Sequence, residues 1–282
     1  MKWGIVTDSS CDLFSSVDEG GQVSISSVPF VISAGDQDFI DDESLDISAM
    51  LDAIESTKEA SRSACPSPNA WFEKFEQADN IIALTISSNL SGSYNSAQIA
   101  KDMALEKYPD KQIEVIDSLS TGPEMTLCVE EILQQIKEGA KFKEIVSQAK
   151  DFLERAQIVF ALCSFDNLVK NGRVGRMSGF LAKHLHIWGI GIGSEEGTID
   201  VVGKAHGPVK AIKKLLVDME ERGFSGGQAS ISHCQNQKQA ATLKDRILKK
   251  WPTANISILP TRGLCSYYAE RGGLIVSFVS AS

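Results

Sequence analysis

Two hydroxyl-rich segments carry the residues of this sequence that are best suited to hold an anion. Residues 86–97 read Ile-Ser-Ser-Asn-Leu-Ser-Gly-Ser-Tyr-Asn-Ser-Ala and lie between a predicted strand and a predicted helix. The unpaired N–H groups and the positive dipole end of a helix start attract phosphates and carboxylates, which makes Ser91 and Gly92 candidate contacts for such a group. Serine is also a favoured helix cap, so a purely structural role for these serines is the alternative.

The second segment, residues 61–68, reads Ser-Arg-Ser-Ala-Cys-Pro-Ser-Pro and offers a further hydroxyl. Ser67 followed by Pro68 is typical of an N-cap with proline at the first helical position, so Ser67 is predicted to be structural. That cap does not explain Ser63, whose loop is stiffened by the two prolines. The sequence therefore predicts Ser63 as a second donor beside Ser91.

Other polar residues have weaker claims to a site. Asp8 and Ser9 follow the first predicted strand, where open α/β sheets bind ligands, but an Asx-turn or a helix cap is an equal alternative. The acidic residues between Asp36 and Glu43 offer hard oxygen ligands without the spacing of a calcium loop, so a solvated loop is predicted.

The second half of the chain contains glycine, arginine and histidine patterns that resemble parts of binding sites. Residues 189–193 read Gly-Ile-Gly-Ile-Gly, which lacks the spacing of a phosphate loop and predicts a strand that continues through a turn into a hairpin partner. Arg173 and Arg176 can contact an anion or a protein partner, although surface arginines are common. His184 and His186 would face different directions on a helix, so no metal pair is predicted.

Apolar patterns predict the elements that must position these residues. Short apolar runs alternate with helical patterns through residues 1–155, which predicts an N-terminal domain built on a parallel sheet with crossover helices. One of these runs predicts a strand over residues 28–32, with Pro29 at its start or edge. Residues 156–282 also alternate but include the hairpin, which predicts a C-terminal α/β domain with a mixed sheet. The cleft between the two domains is the expected ligand site.

Composition limits the classes of function. The 282 residues are 43% hydrophobic and 23% charged, as in soluble globular proteins, and the net charge of −9 argues against a nucleic-acid partner. Six scattered cysteines without C-x-x-C spacing are expected to be reduced thiols. The start of the chain does not resemble a signal peptide and no apolar run approaches the roughly 18 residues of a membrane helix, so a cytoplasmic protein without a membrane span is expected.

Taken together, these motifs resemble the DegV family of bacterial fatty-acid-binding proteins over essentially the whole chain. The matching segments are residues 5–13, 63–68, 87–97, 117–118 and 168–175. The resemblance implies a two-domain, DegV-like α/β fold that holds one long-chain fatty acid in a buried tunnel, without a metal or another cofactor. It also implies a non-enzymatic partner of a fatty acid kinase system, which presents the bound carboxylate to a separate ATP-using subunit and then carries the acyl phosphate.

The resemblance also assigns roles to individual residues. The residues implied in carboxylate binding, through hydroxyls or backbone N–H groups, are Ser63, Ala64, Ser91, Gly92 and Ser93. Arg173 would face the mouth of the cleft or the kinase partner.

The sequence departs from the family pattern at two places. Ser63 and Ala64 stand where the family has Thr-Ser, which removes one hydroxyl. Many members have a histidine near the carboxyl terminus that joins the carboxylate network, whereas residues 266–273 contain none. The hydroxyl of Tyr267 or Tyr268 can take its place.

Two alternative functions use the same serines. A serine-dependent acyl hydrolase or transferase would use Ser91 as its nucleophile, but the sequence has no G-x-S-x-G elbow and no assignable His-acid pair. A binder of another small carboxylate or phosphate would have a short polar cavity in place of a long apolar one.

Overall fold

The computed structural model describes residues 2–18, 20–57, 59–174 and 187–280. The predictions for Gly175, Arg176, His184 and His186 fall outside these described residues. The predicted fold class is confirmed: the chain is a two-domain α/β protein with a largely parallel sheet in its first half and a mixed sheet in its second half.

Strands and helices alternate along most of the chain. The strands of the described residues are β1 (Trp3–Asp8), β2 (Ser16–Val17), β3 (Val23–Val28), β4 (Val31–Ala34), β5 (Gln37–Ile40), β6 (Arg62–Ala64), β7 (Asn80–Thr85), β8 (Gln112–Asp117), β9 (Ala156–Leu162), β10 (Ile187–Gly193), β11 (Ile199–His206), β12 (Gln228–His233), β13 (Asn255–Pro260) and β14 (Leu274–Val279). The helices are α1 (Ile47–Ser56), α2 (Pro68–Phe75), α3 (Ser93–Lys107), α4 (Pro123–Lys137), α5 (Phe142–Arg155), α6 (Asp166–Lys170), α7 (Pro208–Glu221), α8 (Gln237–Lys250) and α9 (Gly263–Ala269).

The first sheet has the strand order β2-β3-β1-β7-β8. β1, β3, β7 and β8 run parallel, while the edge strand β2 is antiparallel to β3. α2 and α3 cover one face of the sheet, and α4 and α5 cover the other. Burial on both faces explains the continuous apolar run of β7, in which every residue is buried.

The second sheet has the order β11-β10-β9-β14-β12-β13. All of its strand pairs are antiparallel except β12 with β13. The predicted hairpin is confirmed, because β10 and β11 are joined by a turn in which the N–H of Gly197 donates to the carbonyl of Ser194 at 2.9 Å. α7 and α8 cover one face of this sheet.

A third, antiparallel sheet, β5-β4-β6, was not predicted. The sequence predicted one strand over residues 28–32, but the chain leaves the first sheet after Val28 and enters the third at Val31. Pro29 lies between them and has no N–H to donate to a ladder, which explains the break. The acidic segment is solvated, as predicted, at Asp36, Asp38, Asp42 and Glu43. It is not a loop throughout, however, since residues 37–40 form β5 and Asp41 is buried.

Helix α4 lies between the first two sheets. Met125, Leu127 and Val129 pack into the core of the first sheet, while the backbone of α4 approaches β12 and β14 of the second. Small side chains, Ser230 and Ser277, are buried in those two strands and permit a close approach. α4 is therefore buried along most of its first two turns, as expected for a helix with packing partners on several sides.

α5 ends at Arg155 and β9, in the second sheet, begins at Ala156. The domain boundary between residues 155 and 156 stays a prediction, because α1 and β4 of the first half pack with α9 of the second. Among the described residues, no helix has the length and apolar character needed to cross a membrane. The six cysteines are all free thiols.

The hairpin turn of the second sheet contacts the hydroxyl-rich loop of the first through Gly197, which has a φ of +73°. A Cβ at this position would lie 2.4 Å from Ser87 Oγ and 2.8 Å from the carbonyl oxygen of Leu119. Replacement of Gly197 by alanine is expected to lower the free energy of unfolding by more than the 1–3 kcal/mol, roughly, that the backbone conformation alone costs. Urea denaturation measures this change.

Gly139 provides the matched control, because its φ is +80° and a Cβ there would have no neighbour within 4 Å. Gly139→Ala carries the backbone cost without the clash, so its loss of stability should be clearly smaller. Equal losses in the two variants would show that the turn is not tightly docked on the hydroxyl-rich loop.

Candidate functional site

A cavity of about 370 Å³ lies between the first two sheets and reaches α9. Most of its wall is apolar. The apolar side chains that line it are Phe30, Ile86, Leu90, Leu119, Ile158, Phe160, Leu162, Leu168, Ile199, Leu264, Ala269 and Ile275. The wall residues of β9, such as Phe160 and Leu162, are buried, so this part of the cavity is the interior. An apolar cavity of this size is typical of a site for a small organic ligand.

Three hydroxyl groups of the wall lie at the mouth of the cavity, while Ser120, another wall residue, is buried. Ser63, Ser91 and Tyr268 are half-buried and line it, and the hydroxyls of Ser63 and Tyr268 are 2.8 Å apart. Gly92 and Cys65 are exposed at the same mouth, and a Cβ on Gly92 would lie 3.4 Å from Cys65 Sγ. The structure thus brings the two hydroxyl-rich segments together, with Tyr268 of α9 as the third donor.

The loop at residues 86–92 presents the start of α3 to this mouth. The N–H groups of Leu90 and Ser91 both donate to the carbonyl of Ser87, at 3.0 and 3.1 Å, which curls the loop. Gly92 is the N-cap residue of α3 and makes no side-chain cap, and within the described residues its N–H donates no hydrogen bond. A free N–H at a helix N-terminus is suited to bind an anion.

Ser93 does not reach the cavity. Its side chain is fully buried and donates to Asp8 Oδ2 at 2.6 Å, so its predicted contact with the ligand is not supported. Asp8 also accepts from the N–H of Ile86 at 3.0 Å and from the N–H of Ser10 at 3.2 Å. Burial raises the pKa of Asp8. Asp8 therefore ties β1 to both ends of the hydroxyl-rich loop.

Tyr267, the other tyrosine of the prediction, points away from the cavity. It is fully buried, its hydroxyl donates to Ser61 Oγ at 2.9 Å, and it accepts from Asn171 Nδ2 at 2.8 Å. Successive residues of a helix point in different directions, so only one of the two tyrosines can line the wall. Tyr267 instead fixes the strand that carries Ser63.

Arg173 lies on the cavity wall, as predicted for a residue of the cleft. Its Nε donates to the carbonyl of Leu90 at 2.9 Å and its Nη1 donates to the carbonyl of Asn171 at 2.6 Å. It is the only charged side chain among the described residues that line the cavity. An arginine that contacts only carbonyl groups keeps its positive charge available for an anion.

Asp41 and Arg262 fix α9, and no sequence pattern indicated them. Asp41 accepts from the N–H groups of Gly263 and Leu264, both at 2.7 Å, while Arg262 Nη2 donates to the carbonyl of Asp41 at 2.8 Å. Both side chains are almost fully buried. Burial raises the pKa of Asp41, and the nearby Arg262 opposes that rise.

Glu124, in the first turn of α4, is another buried carboxyl. Burial raises its pKa from 4.5 to about 8. The folded state therefore keeps a proton that the unfolded chain loses, so the stability contributed by Glu124 is full below pH 4.5 and is lost as the pH rises through about 8. Burial also raises the pKa of Asp12, to about 6. The stability that Asp12 contributes is therefore also lost as the pH rises, but at a lower pH than for Glu124.

Replacement of Glu124 by glutamine is expected to flatten the decline in stability between pH 7 and 8, above the pKa of about 6 at which Asp12 loses its proton. The urea midpoint measured at a series of pH values tests this expectation. Glu106→Gln, an exposed position in α3, is the control and should keep the wild-type slope. An unchanged slope in Glu124→Gln would contradict the assignment.

In the ranges that the structure describes, no group of three or more histidine, cysteine, aspartate or glutamate residues could hold a metal ion. The cavity wall, over the same ranges, contains no histidine, aspartate or glutamate. Ser91 therefore has no general base among these wall residues, and the acyl hydrolase alternative gains no support from the geometry.

Comparison with known proteins relates this chain to one family. The family model described as "Uncharacterised protein, DegV family" matches residues 2–281. A DegV domain-containing protein of Streptococcus pneumoniae is 42% identical over 278 residues, which cover 99% of each chain.

Two solved structures are also similar. The fatty acid kinase B3 protein of Streptococcus pneumoniae, solved loaded with linoleic acid, is 42% identical and superimposes with a TM-score of 0.96 over 100% of both chains. A DegV family protein of Eubacterium eligens, solved loaded with heptadecanoic acid, is 38% identical with a TM-score of 0.94, over 99% of this chain and 100% of that one.

Proposed function

Because this chain belongs to the DegV family, we propose that it binds one long-chain fatty acid in the cavity described above. The acyl chain occupies the apolar interior between the two domains, residues 1–155 and 156–282. The carboxylate lies at the polar mouth. The observation that carries this proposal is the separation of the wall into an apolar interior and a mouth where hydroxyls, a helix start and one arginine meet.

The carboxylate is held by the hydroxyls of Ser63, Ser91 and Tyr268 and by the N–H groups of Gly92 and Ala64. Arg173 supplies the positive charge. Ser93, which the family resemblance implicated, and Tyr267, which was a candidate substitute for the family's histidine, do not contact the ligand directly. They support the wall through Asp8 and Ser61. Tyr268 takes over the role of the histidine that many family members have in the carboxylate network.

The energetics favour a long acyl chain. Each buried methylene contributes about 0.8 kcal/mol, so a long chain contributes on the order of 10 kcal/mol before the costs of association and ordering. Burial of an unpaired carboxylate would cancel much of this gain. Several donors at the mouth are therefore needed, and the two loops and α9 provide them.

We extend the proposal to a role in fatty acid phosphorylation. The protein acts without a cofactor as a non-catalytic, cytoplasmic subunit, which presents the carboxylate to a separate ATP-using kinase subunit. The exposure of Ala64, Cys65 and Gly92 supports this role, because a carboxylate at the mouth stays within reach of a partner. Arg173, which is half-buried at the same wall, is the proposed contact with that partner.

Two experiments test the two parts separately. Solvent extraction of the purified protein, followed by mass spectrometry, is expected to release a long-chain fatty acid in about equimolar amount. If the purified protein consistently contains no lipid and fails to bind added fatty acids, the binding proposal is rejected. Incubation with a bacterial fatty acid kinase subunit and ATP is expected to yield an acyl phosphate only when all components are present, and binding without phosphorylation would reject the kinase role alone.

The same preparation distinguishes the alternative functions. Rapid stoichiometric labelling of Ser91 by an organophosphonate would favour an acyl hydrolase. Tight binding of acetate or inorganic phosphate, with no binding of long-chain fatty acids, would favour a binder of small anions.

A further inference from the structure

The repeated Gly-Ile pattern of β10 gives this strand two different faces. On one face, Trp188 and Ile190 pack into the core beneath α7 and α8. On the other face, Gly189, Gly191 and Gly193 present no side chains. Side chains alternate between the faces of a strand, so the period of two in the sequence produces a bare stripe along β10.

The bare stripe lies beside the cavity wall formed by β9. In the antiparallel pair of β9 and β10, Gly189 is opposite Leu162 and Gly191 is opposite Phe160. Residues directly opposite one another point to the same face of a sheet. Leu162 and Phe160 both line the cavity, so the glycines of β10 face the cavity side.

The Phe160 ring fills the space above Gly191. A Cβ on Gly191 would lie 2.2 Å from Phe160 Cζ and 2.8 Å from the carbonyl oxygen of Asp200, and a Cβ on Gly193 would lie 2.6 Å from Ile158 Cγ2. These separations are shorter than carbon atoms tolerate. The ring can occupy this place against β10 because position 191 has no side chain.

We infer that Gly191, by letting the Phe160 ring lie against β10, determines how long an acyl chain the interior of the cavity accepts. The inference rests on the proposed function and adds the residue pair that selects among fatty acids. A side chain at position 191 forces the ring away from β10 and into the cavity. The interior then loses volume at its buried end, while the mouth keeps its donors.

Gly191→Ala tests the inference against a series of saturated fatty acids from lauric to stearic acid, with dissociation constants measured by displacement of a fluorescent fatty acid. Loss of room for two methylenes corresponds to a loss of about tenfold in affinity. The variant is expected to lose about tenfold or more for stearic acid and little for lauric acid. Gly203→Ala in β11 is the control, because a Cβ there would meet only Ile190 Cβ, at 4.0 Å.

A second substitution distinguishes selection by acyl-chain length from general damage to the fold. Phe160→Leu removes the ring that the new methyl group displaces, so Gly191→Ala combined with Phe160→Leu is expected to recover part of the affinity for stearic acid. The contact of the new methyl group with the backbone carbonyl of Asp200 remains and limits the recovery. An equal loss of affinity for every chain length, or no recovery in the double variant, overturns the inference. Failure of the wild-type protein to bind any member of the series is a different result, which rejects the proposed function itself.

Discussion

Alanine at either Ser63 or Ser91 is expected to weaken fatty acid binding by roughly 10- to 150-fold, because a hydrogen bond to a charged group contributes about 1.5–3 kcal/mol. Both hydroxyls line the mouth of the cavity, and both are half-buried, where water replaces a lost donor poorly. The double variant is expected to lose more than either single variant. Isothermal titration with a long-chain fatty acid measures each loss.

The loop offers a matched control in Ser88, which is exposed and lies outside the cavity wall. Ser88→Ala should bind as the wild type does. Tyr268→Phe adds a test of the third donor, because it removes the hydroxyl that lies 2.8 Å from Ser63 Oγ and keeps the ring. If Ser63→Ala and Ser91→Ala both retain wild-type affinity, the carboxylate does not bind at this mouth.

Alanine in place of Asp41 is expected to lower the free energy of unfolding by about 3–5 kcal/mol, the usual effect of removing one partner of a buried charged pair. The substitution removes both acceptors of the first N–H groups of α9. It also leaves the guanidinium of Arg262 buried without the carboxylate that lies 3.9 Å from its Nε. Urea denaturation followed by far-UV circular dichroism measures the loss.

Asp36→Ala is the control for this change, since Asp36 is exposed in the turn between β4 and β5, and Asp41 directly follows β5. Its stability should match that of the wild type. Asp41→Asn keeps one acceptor oxygen, so its free energy of unfolding should lie between those of Asp41→Ala and Asp36→Ala. A loss in Asp41→Ala no larger than in Asp36→Ala would show that α9 is held mainly by its apolar contacts.

The elements of the fold could be predicted where local pattern and tertiary environment agree. β7 is a continuous apolar run because helices cover both faces of its sheet, and α2 begins at Pro68 behind the predicted cap, with the N–H of Ala70 donating to Ser67 Oγ at 3.3 Å. The prediction of one strand over residues 28–32 was wrong because this apolar run contributes residues to two different sheets. Proline within the run was the available signal of the break.

The site was harder to predict than the fold because its contacts are distant in sequence. Ser63 meets Tyr268 across 205 positions, and Asp41 meets Gly263 across 222. Local spacing carries no information on such pairs. Ser91 and Ser93 are of one residue type and two positions apart, yet only Ser91 lines the cavity, since Ser93 is directed at Asp8.

The position of α4 between the two main sheets couples the stability of the two domains. Separation of the domains would strip α4 of its packing against β12 and β14, so neither domain can open fully without cost to the other. We therefore expect the unfolding of the two domains to be coupled rather than independent. If a fatty acid binds in the cavity, whose wall includes Thr121 just before this helix, we expect it to protect residues far from the ligand, because a ligand that binds only the folded state stabilises every part that unfolds with its site.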